Sequence, residues 1–233
     1  MFPMTAILTK EHNFFAPFGV LEIEVRKKIE SQLKIFQFQK KQIIHRAGFT
    51  PTGLFIINKG KVKIYKISDS SREIIIHIAG EGEMVGYSAL MRHSEYHFWA
   101  ETIEKTEMSF LPKKNFFECI ENNPHFSVSL MKLFACQFDA VMDKMVDILS
   151  DQVRKRTAKT LLWLMETHGL DEDLKTIKIT LSRNDLAHLV ATNTETLVRT
   201  LTELSKDKVI ELKRKKIVIM NLEELNRIAH FYR

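Results

Sequence analysis

The chain has 233 residues, 45% hydrophobic and 27% charged, with a formal net charge of +6. That balance fits a folded globular protein of one large or two modest domains, and excludes a disordered chain. Two cysteines, Cys119 and Cys136, exclude a disulfide framework and a four-cysteine iron–sulfur site, and the positive charge favours a polyanionic partner.

Met1 to Val20 carries Lys10, Glu11 and His12 where a secretory signal needs an unbroken apolar stretch. No later stretch is apolar and long enough to span a membrane, so a cytoplasmic protein with no membrane partner is expected. Phe14, Phe15, Pro17 and Phe18 form an apolar entry segment. Leu21 to Leu33 follows with helical spacing, Val25, Ile29 and Leu33 on one side. The period then changes. Ile35 to Phe38 alternates and is followed by Gln42-Ile43-Ile44-His45, and Leu54 to Ile57 and Val62 to Ile67 flank a turn at Asn58-Lys59-Gly60. Asp69-Ser70-Ser71 is a further turn, Glu73 to Ile78 another β-rich run, and Phe98 to Leu111 a last strand region after a loop punctuated by Gly80, Gly82 and Gly86. Short strands between such turns predict a compact antiparallel β roll or sandwich. His45, His77, His93 and His97 lie in this part without an H-x-H, so no metal site is expected. No nucleophile–base constellation is present either, and the protein is not expected to be an enzyme.

Beyond Pro112 the chain reads as helical. Lys114 to Glu121 is short, and Asn122-Asn123-Pro124 opens a long helix. In it Met131, Phe134, Phe138, Val141, Met145 and Ile148 recur at alternating spacings of three and four, the seam of a helix that pairs with another helix. Leu133, Val146 and Leu149 add apolar residues on another side. The expectation is that one face meets the chain's own roll and the other a symmetry mate in a homodimer; a purely internal helix is the competing reading. Ser150-Asp151 is a hinge candidate. Val153 to His168 is the next helix, opening on Arg154-Lys155-Arg156 and closed by Gly169.

Ile177 to Ile179 reads as a short strand leading into Thr180 to Leu204, two short helices joined by a tight turn. Ser182 is positioned to cap the first helix, with Asp185 three residues on. Thr192 or Asn193 caps the second. Leu197, Leu201 and Leu204 face inward at helical spacing, leaving Thr194, Glu195, Val198 and Arg199 outside. An exposed Arg can pair bidentately with guanine and a Glu can accept from cytosine, so this is a candidate DNA-recognition helix. The same Glu and Arg, four apart, also suit an ordinary solvated ion pair. Val209 to Leu212 and Ile217 to Met220 then flank Lys213-Arg214-Lys215-Lys216, a β hairpin with a four-residue basic tip that reads as a wing approaching phosphates. Asn221-Leu222 starts a short terminal helix.

In this order the chain resembles the cyclic-AMP receptor protein/fumarate-nitrate regulator (Crp/Fnr) family of bacterial transcription factors, from about Leu21 to Met220. Leu54 to Lys63 looks like the family's β-roll hairpin, Gly82-Glu83-Met84-Val85-Gly86-Tyr87-Ser88-Ala89-Leu90 like its phosphate-binding cassette, and Ser182 to Leu204 like its helix-turn-helix. The resemblance implies an α+β protein: a cyclic-nucleotide-binding-like antiparallel β roll over 1–122, a dimerisation helix over 123–150 and a winged helix-turn-helix over 151–233. It implies a homodimer on near-palindromic double-stranded DNA, with RNA polymerase as a further partner. Glu195 and Arg199 match the family's base-reading pair; Thr194 and Val198 stand at its other base-reading positions and depart from its common residues there. Ser182, Arg183, Thr192, Asn193, Lys213, Arg214, Lys215 and Lys216 are the expected phosphate contacts. Ala191 replaces a common turn glycine.

The cassette departs most. Cyclic-AMP-binding members place a Glu after the second glycine and an Arg about ten residues on; here those positions hold Tyr87 and one of His97, Phe98 or Trp99. A buried phosphate without a guanidinium lacks its main charge-assisted bonds, so cyclic AMP is not the expected effector and no cofactor is assigned. Gly86, Tyr87, Ser88, Phe98 and Trp99 are the candidate effector pocket, which they either line or simply fill. A β-roll module controlled by a cyclic nucleotide or another small molecule is the alternative reading.

Overall fold

The computed structural model describes residues 27, 29–69 and 73–230. The entry segment at Phe14 to Phe18, most of the helix expected over Leu21 to Leu33 and part of the turn at Asp69-Ser70-Ser71 lie outside them. The described chain falls into two compact units that meet between Phe138 and Asp139.

The first unit is a roll of two four-stranded antiparallel sheets. One has the order β1 (Lys34–Phe38), β8 (Thr106–Pro112), β3 (Gly53–Lys59), β6 (Met84–Val85). The other has the order β2 (Ile43–His45), β7 (Trp99–Thr102), β4 (Val62–Ile67), β5 (Glu73–Ala79). The single strand region expected over Phe98 to Leu111 is two strands. They are broken where Ile103 reaches back to the Lys61 carbonyl and Thr106 Oγ1 donates to the carbonyls of Glu104 and Lys61.

Strand β3 explains an unbroken apolar run. Leu54 and Ile56 point into a cluster with Leu90, Phe116, Phe126 and Leu130. Ile57 and Phe55 point the other way, toward Phe38, Val62, Val85, Ala100 and Met108 between the sheets. A strand covered on both faces gains from apolar residues at every position, so it does not alternate. The helices on its outer side are α1 (Tyr87–Met91), α2 (Lys113–Asn122) and the start of α3 (Pro124–Ser150). The turn from β3 to β4 needs Gly60: its φ is +103°, and a Cβ would sit 2.6 Å from Thr106 Oγ1.

The second unit begins inside α3 and continues through α4 (Val153–His168), α5 (Arg183–Val190), α6 (Thr194–Lys206), the hairpin β9 (Ile210–Lys213) and β10 (Lys216–Ile219), and α7 (Leu222–His230). Two details differ from expectation. Ile177 to Ile179 is not a strand; only isolated bridges join Thr176 to Val218 and Ile177 to Leu170, because the segment touches the hairpin at one point before turning away. The wing tip is two residues, Arg214-Lys215, since Lys213 and Lys216 pair with each other in the ladder, and Arg214 takes a left-handed φ of 55° to close it.

Candidate nucleic-acid interface

The helix pair α5–α6 is held from within by Leu186, Ala187, Leu189, Val190, Leu197, Leu201 and Leu204, all buried. Burying these side chains stabilises the pair by about 1.5–3 kcal/mol for each large one. The ends are capped as the sequence implies. Ser182 Oγ accepts from the Asp185 amide at 3.0 Å, and Asn193 Oδ1 accepts from the Thr196 amide at 2.8 Å. Between them Ala191 adopts a left-handed φ of 57°, a conformation that costs a non-glycine residue on the order of 1 kcal/mol.

Arg156, on the first turn of α4, holds that strained turn. Its Nε donates to the Val190 carbonyl at 3.0 Å and its Nη2 to the Ala191 carbonyl at 3.1 Å. Its Nη1 donates to the Asp151 carbonyl, 2.6 Å away at the α3–α4 junction. One planar guanidinium therefore satisfies carbonyls at the end of α5 that the helix cannot pair itself. Beside it, Lys159 bridges Asp147 and Asp151 at 2.5 and 2.8 Å, and Lys155 reaches Asp151 at 2.8 Å. Those lysines hold the Asp151 carboxyl below its usual pKa even though desolvation, the largest single influence, pushes it upward.

Arg154-Lys155-Arg156 read as one more basic run in the sequence, and the clamp role was missed. A signal existed: three cations at a helix N-terminus oppose the helix dipole and so need partners. The structure supplies one for each, Arg154 pairing with Asp207 at 2.6 Å.

On the outer side of α6, Glu195, Val198 and Arg199 are exposed. Glu195 and Arg199 form no ion pair with each other or with any other residue among those described. Thr194 is partly buried, and its hydroxyl donates to Asn184 Oδ1 at 3.2 Å, tying the start of α6 to α5. The expected phosphate contacts divide. Arg183 donates to the Arg214 carbonyl at 3.1 Å and so links α5 to the wing tip; burial lowers its pKa. Lys216 pairs with Asp171 at 2.7 Å and Lys213 with Glu211 at 3.3 Å. Arg214 and Lys215 are exposed and form no ion pair among the described residues.

On α3, Met131, Phe138, Val141, Met145 and Ile148 are exposed apolar residues, from 43% at Ile148 to 65% at Phe138. Phe134 is the exception. It stacks on Tyr87, with ring centroids 5.6 Å apart, and packs against the roll's own cluster together with Leu133.

The candidate effector residues are engaged with different neighbours. Gly86, Tyr87 and Ser88 sit together where α1 begins, and burial pushes the Tyr87 hydroxyl up to about 12 while it donates to Gln137 Oε1. Trp99 stacks on Tyr65 under the Arg46 guanidinium, and Phe98 is 36% exposed. Tyr96 instead fills the space beside Gly86, its ring 3.1 Å from where a Cβ would stand. Arg92, the nearest guanidinium in the loop sequence, is spent on His97 Nε2 at 3.1 Å.

Two family models match the chain: the cyclic nucleotide-binding domain over residues 35–123 and the Crp-like helix-turn-helix domain over residues 155–228. A CRP-like cAMP-activated global transcriptional regulator of Mycobacterium tuberculosis is 26% identical over 86% of this chain and 90% of its own length. The fumarate and nitrate reduction regulatory protein of Vibrio cholerae is 23% identical over 91% and 85%. FixK2 from Bradyrhizobium japonicum shares the fold with a TM-score of 0.77 at 18% identity, over 86% of this chain and 99% of that one.

Proposed function

Since the chain belongs to the Crp/Fnr family of DNA-binding transcription regulators, we propose that it acts as a homodimer whose paired α6 helices read a near-palindromic operator. The observation that carries this reading is the presentation of α6: a doubly capped, clamped helix pair exposes Glu195, Val198 and Arg199 without internal partners. Arg199 reads a guanine and Glu195 the cytosine side, while Thr194, hydrogen-bonded to Asn184, orients the helix. Arg214 and Lys215 reach phosphates from the wing, with Ser182, Arg183, Thr192, Asn193, Lys213 and Lys216 as further contacts.

The exposed stripe on α3 is the dimer seam. Five large apolar side chains in one row on a single chain call for cover, and a second copy presents the same row. The two recognition helices then enter successive major grooves about 34 Å apart. The segments 1–122, 123–150 and 151–233 serve as sensor roll, dimerisation helix and DNA-binding domain. Such a regulator works in the cytoplasm and contacts RNA polymerase.

Cyclic AMP is not its effector in this reading. Tyr87 stands where a ribose-holding carboxylate is needed and is packed on Phe134. Tyr96 crowds Gly86, and Arg92, the guanidinium nearest the cassette in sequence, is turned to His97.

Selection of bound sequences from random DNA, followed by gel-shift titration, tests the proposal. Arg199→Ala is expected to lose about 1–3 kcal/mol per base contact and to relax sequence preference at that base pair. A variant that keeps the full preference would overturn the assignment. Calorimetry with cyclic AMP is expected to show no submicromolar binding. Val141→Asp is expected to shift the protein to monomer in sedimentation.

A further inference from the structure

The open mouth of the β roll holds a cavity that DNA binding does not use. It lies between β1, β3 and β8 of one sheet and β2, with the loop that follows, of the other. Its volume is about 540 Å³, within the range of small-molecule sites. It shares no lining residue with Gly86, Tyr87, Ser88, Phe98 or Trp99.

The walls are aromatic. Phe36 meets Phe55 and Phe110 edge-on, with centroids 6.0 and 6.1 Å apart, and Phe55 lies 4.9 Å from Phe110. Phe49 closes one side. Phe36 and Phe49 are nevertheless 42% and 61% exposed, so the space between them is unfilled rather than packed. Rings arranged edge-on favour a further flat ring among them.

The polar groups are few. Arg46 is the only charged side chain in the lining, and no carboxylate accompanies it. Its guanidinium rests over the Trp99 ring at 5.7 Å, a weak hold that leaves its donors open. Thr50 and Thr52 add hydroxyls. The His45 ring stacks on Tyr96 at 3.8 Å, and neither of its nitrogens meets a partner in hydrogen-bond geometry. Burial holds the His45 pKa down to about 4 against a weaker opposing pull from the Phe98 backbone, so the ring is neutral at pH 7 and keeps one donor and one acceptor.

We propose that this cavity binds a small planar aromatic acid, its ring among Phe36, Phe55 and Phe110 and its carboxylate at Arg46. An aromatic hydrocarbon fits the walls but leaves Arg46 unused. A cyclic nucleotide brings a ribose, and the lining offers no carboxylate to hold its hydroxyls. The aromatic acid satisfies both sides at once.

The test is calorimetric titration of the full-length protein with 2-naphthoate, with the neutral 2-naphthylmethanol as its counterpart. Saturable binding at one site per chain is expected for 2-naphthoate, and tighter than for the alcohol. Arg46→Gln is expected to weaken 2-naphthoate about tenfold and leave the alcohol unchanged. Phe36→Ser, at the exposed lip of β1, is expected to weaken both ligands while the melting temperature stays close to that of the parent. No saturable binding at millimolar 2-naphthoate, equal affinities in the parent and Arg46→Gln, or displacement of 2-naphthoate by cyclic AMP would each overturn the proposal.

Discussion

Arg156→Ala tests whether the helix-turn-helix is a rigid unit in its own right or is held by α4. The variant removes three hydrogen bonds from one guanidinium, to Val190, Ala191 and Asp151. Hydrogen bonds to a charged group contribute about 1.5–3 kcal/mol each when well buried. Arg156 is only partly buried, so about 1 kcal/mol each is the fair figure, or about 3 kcal/mol in all. For a unit of this size that corresponds to a fall in melting temperature of roughly 10–20 °C. Thermal unfolding followed by circular dichroism reads it directly. DNA affinity should fall as well, because the released Ala191 turn no longer fixes α6 against α5. The salt dependence of binding should keep its slope, since Arg156 is engaged with backbone and not with phosphate. Arg156→Lys keeps the charge but not the fork and should lie between the two. If Arg156→Ala melts within about 2 °C of the parent and binds the operator equally well, the clamp has no energetic role.

Asn193→Ala deletes the cap of α6 and should cost about 1 kcal/mol in denaturant unfolding. Gly60→Ala forces a Cβ against Thr106 at a φ of +103° and should destabilise the roll by more than the approximately 1 kcal/mol of the backbone term alone. The pH dependence of His45 has a definite sign. Its folded pKa, about 4, is below its unfolded value near 6.5, so below pH 6.5 the unfolded chain takes up the proton first. Its contribution to stability should therefore be constant above pH 6.5, decline toward pH 4 and level off beneath. His45→Leu should flatten that part of the melting-temperature profile.

The recognition helix was legible because its caps, its inward leucines and its outward polar residues all obey local rules of spacing. The roll was legible for a similar reason: turns at Asn58-Lys59-Gly60 and the alternation of Ile35 to Phe38 are local signals. The wing tip was misjudged because Lys213 and Lys216 are as polar as Arg214 and Lys215, and only the ladder shows which pair across strands. The segment 177–179 was misjudged because apolar, β-branched residues there serve burial beneath α5 without a ladder to join.

The residues hardest to read were those whose role is set across the fold. Tyr96 is unremarkable in sequence, yet it is the ring that crowds Gly86 on one side and stacks on His45 on the other. It thus packs against the cassette glycine and also walls the neighbouring cavity. The open space at the mouth of the roll is walled by that same ring, and Arg46 is the charge that stands beside it.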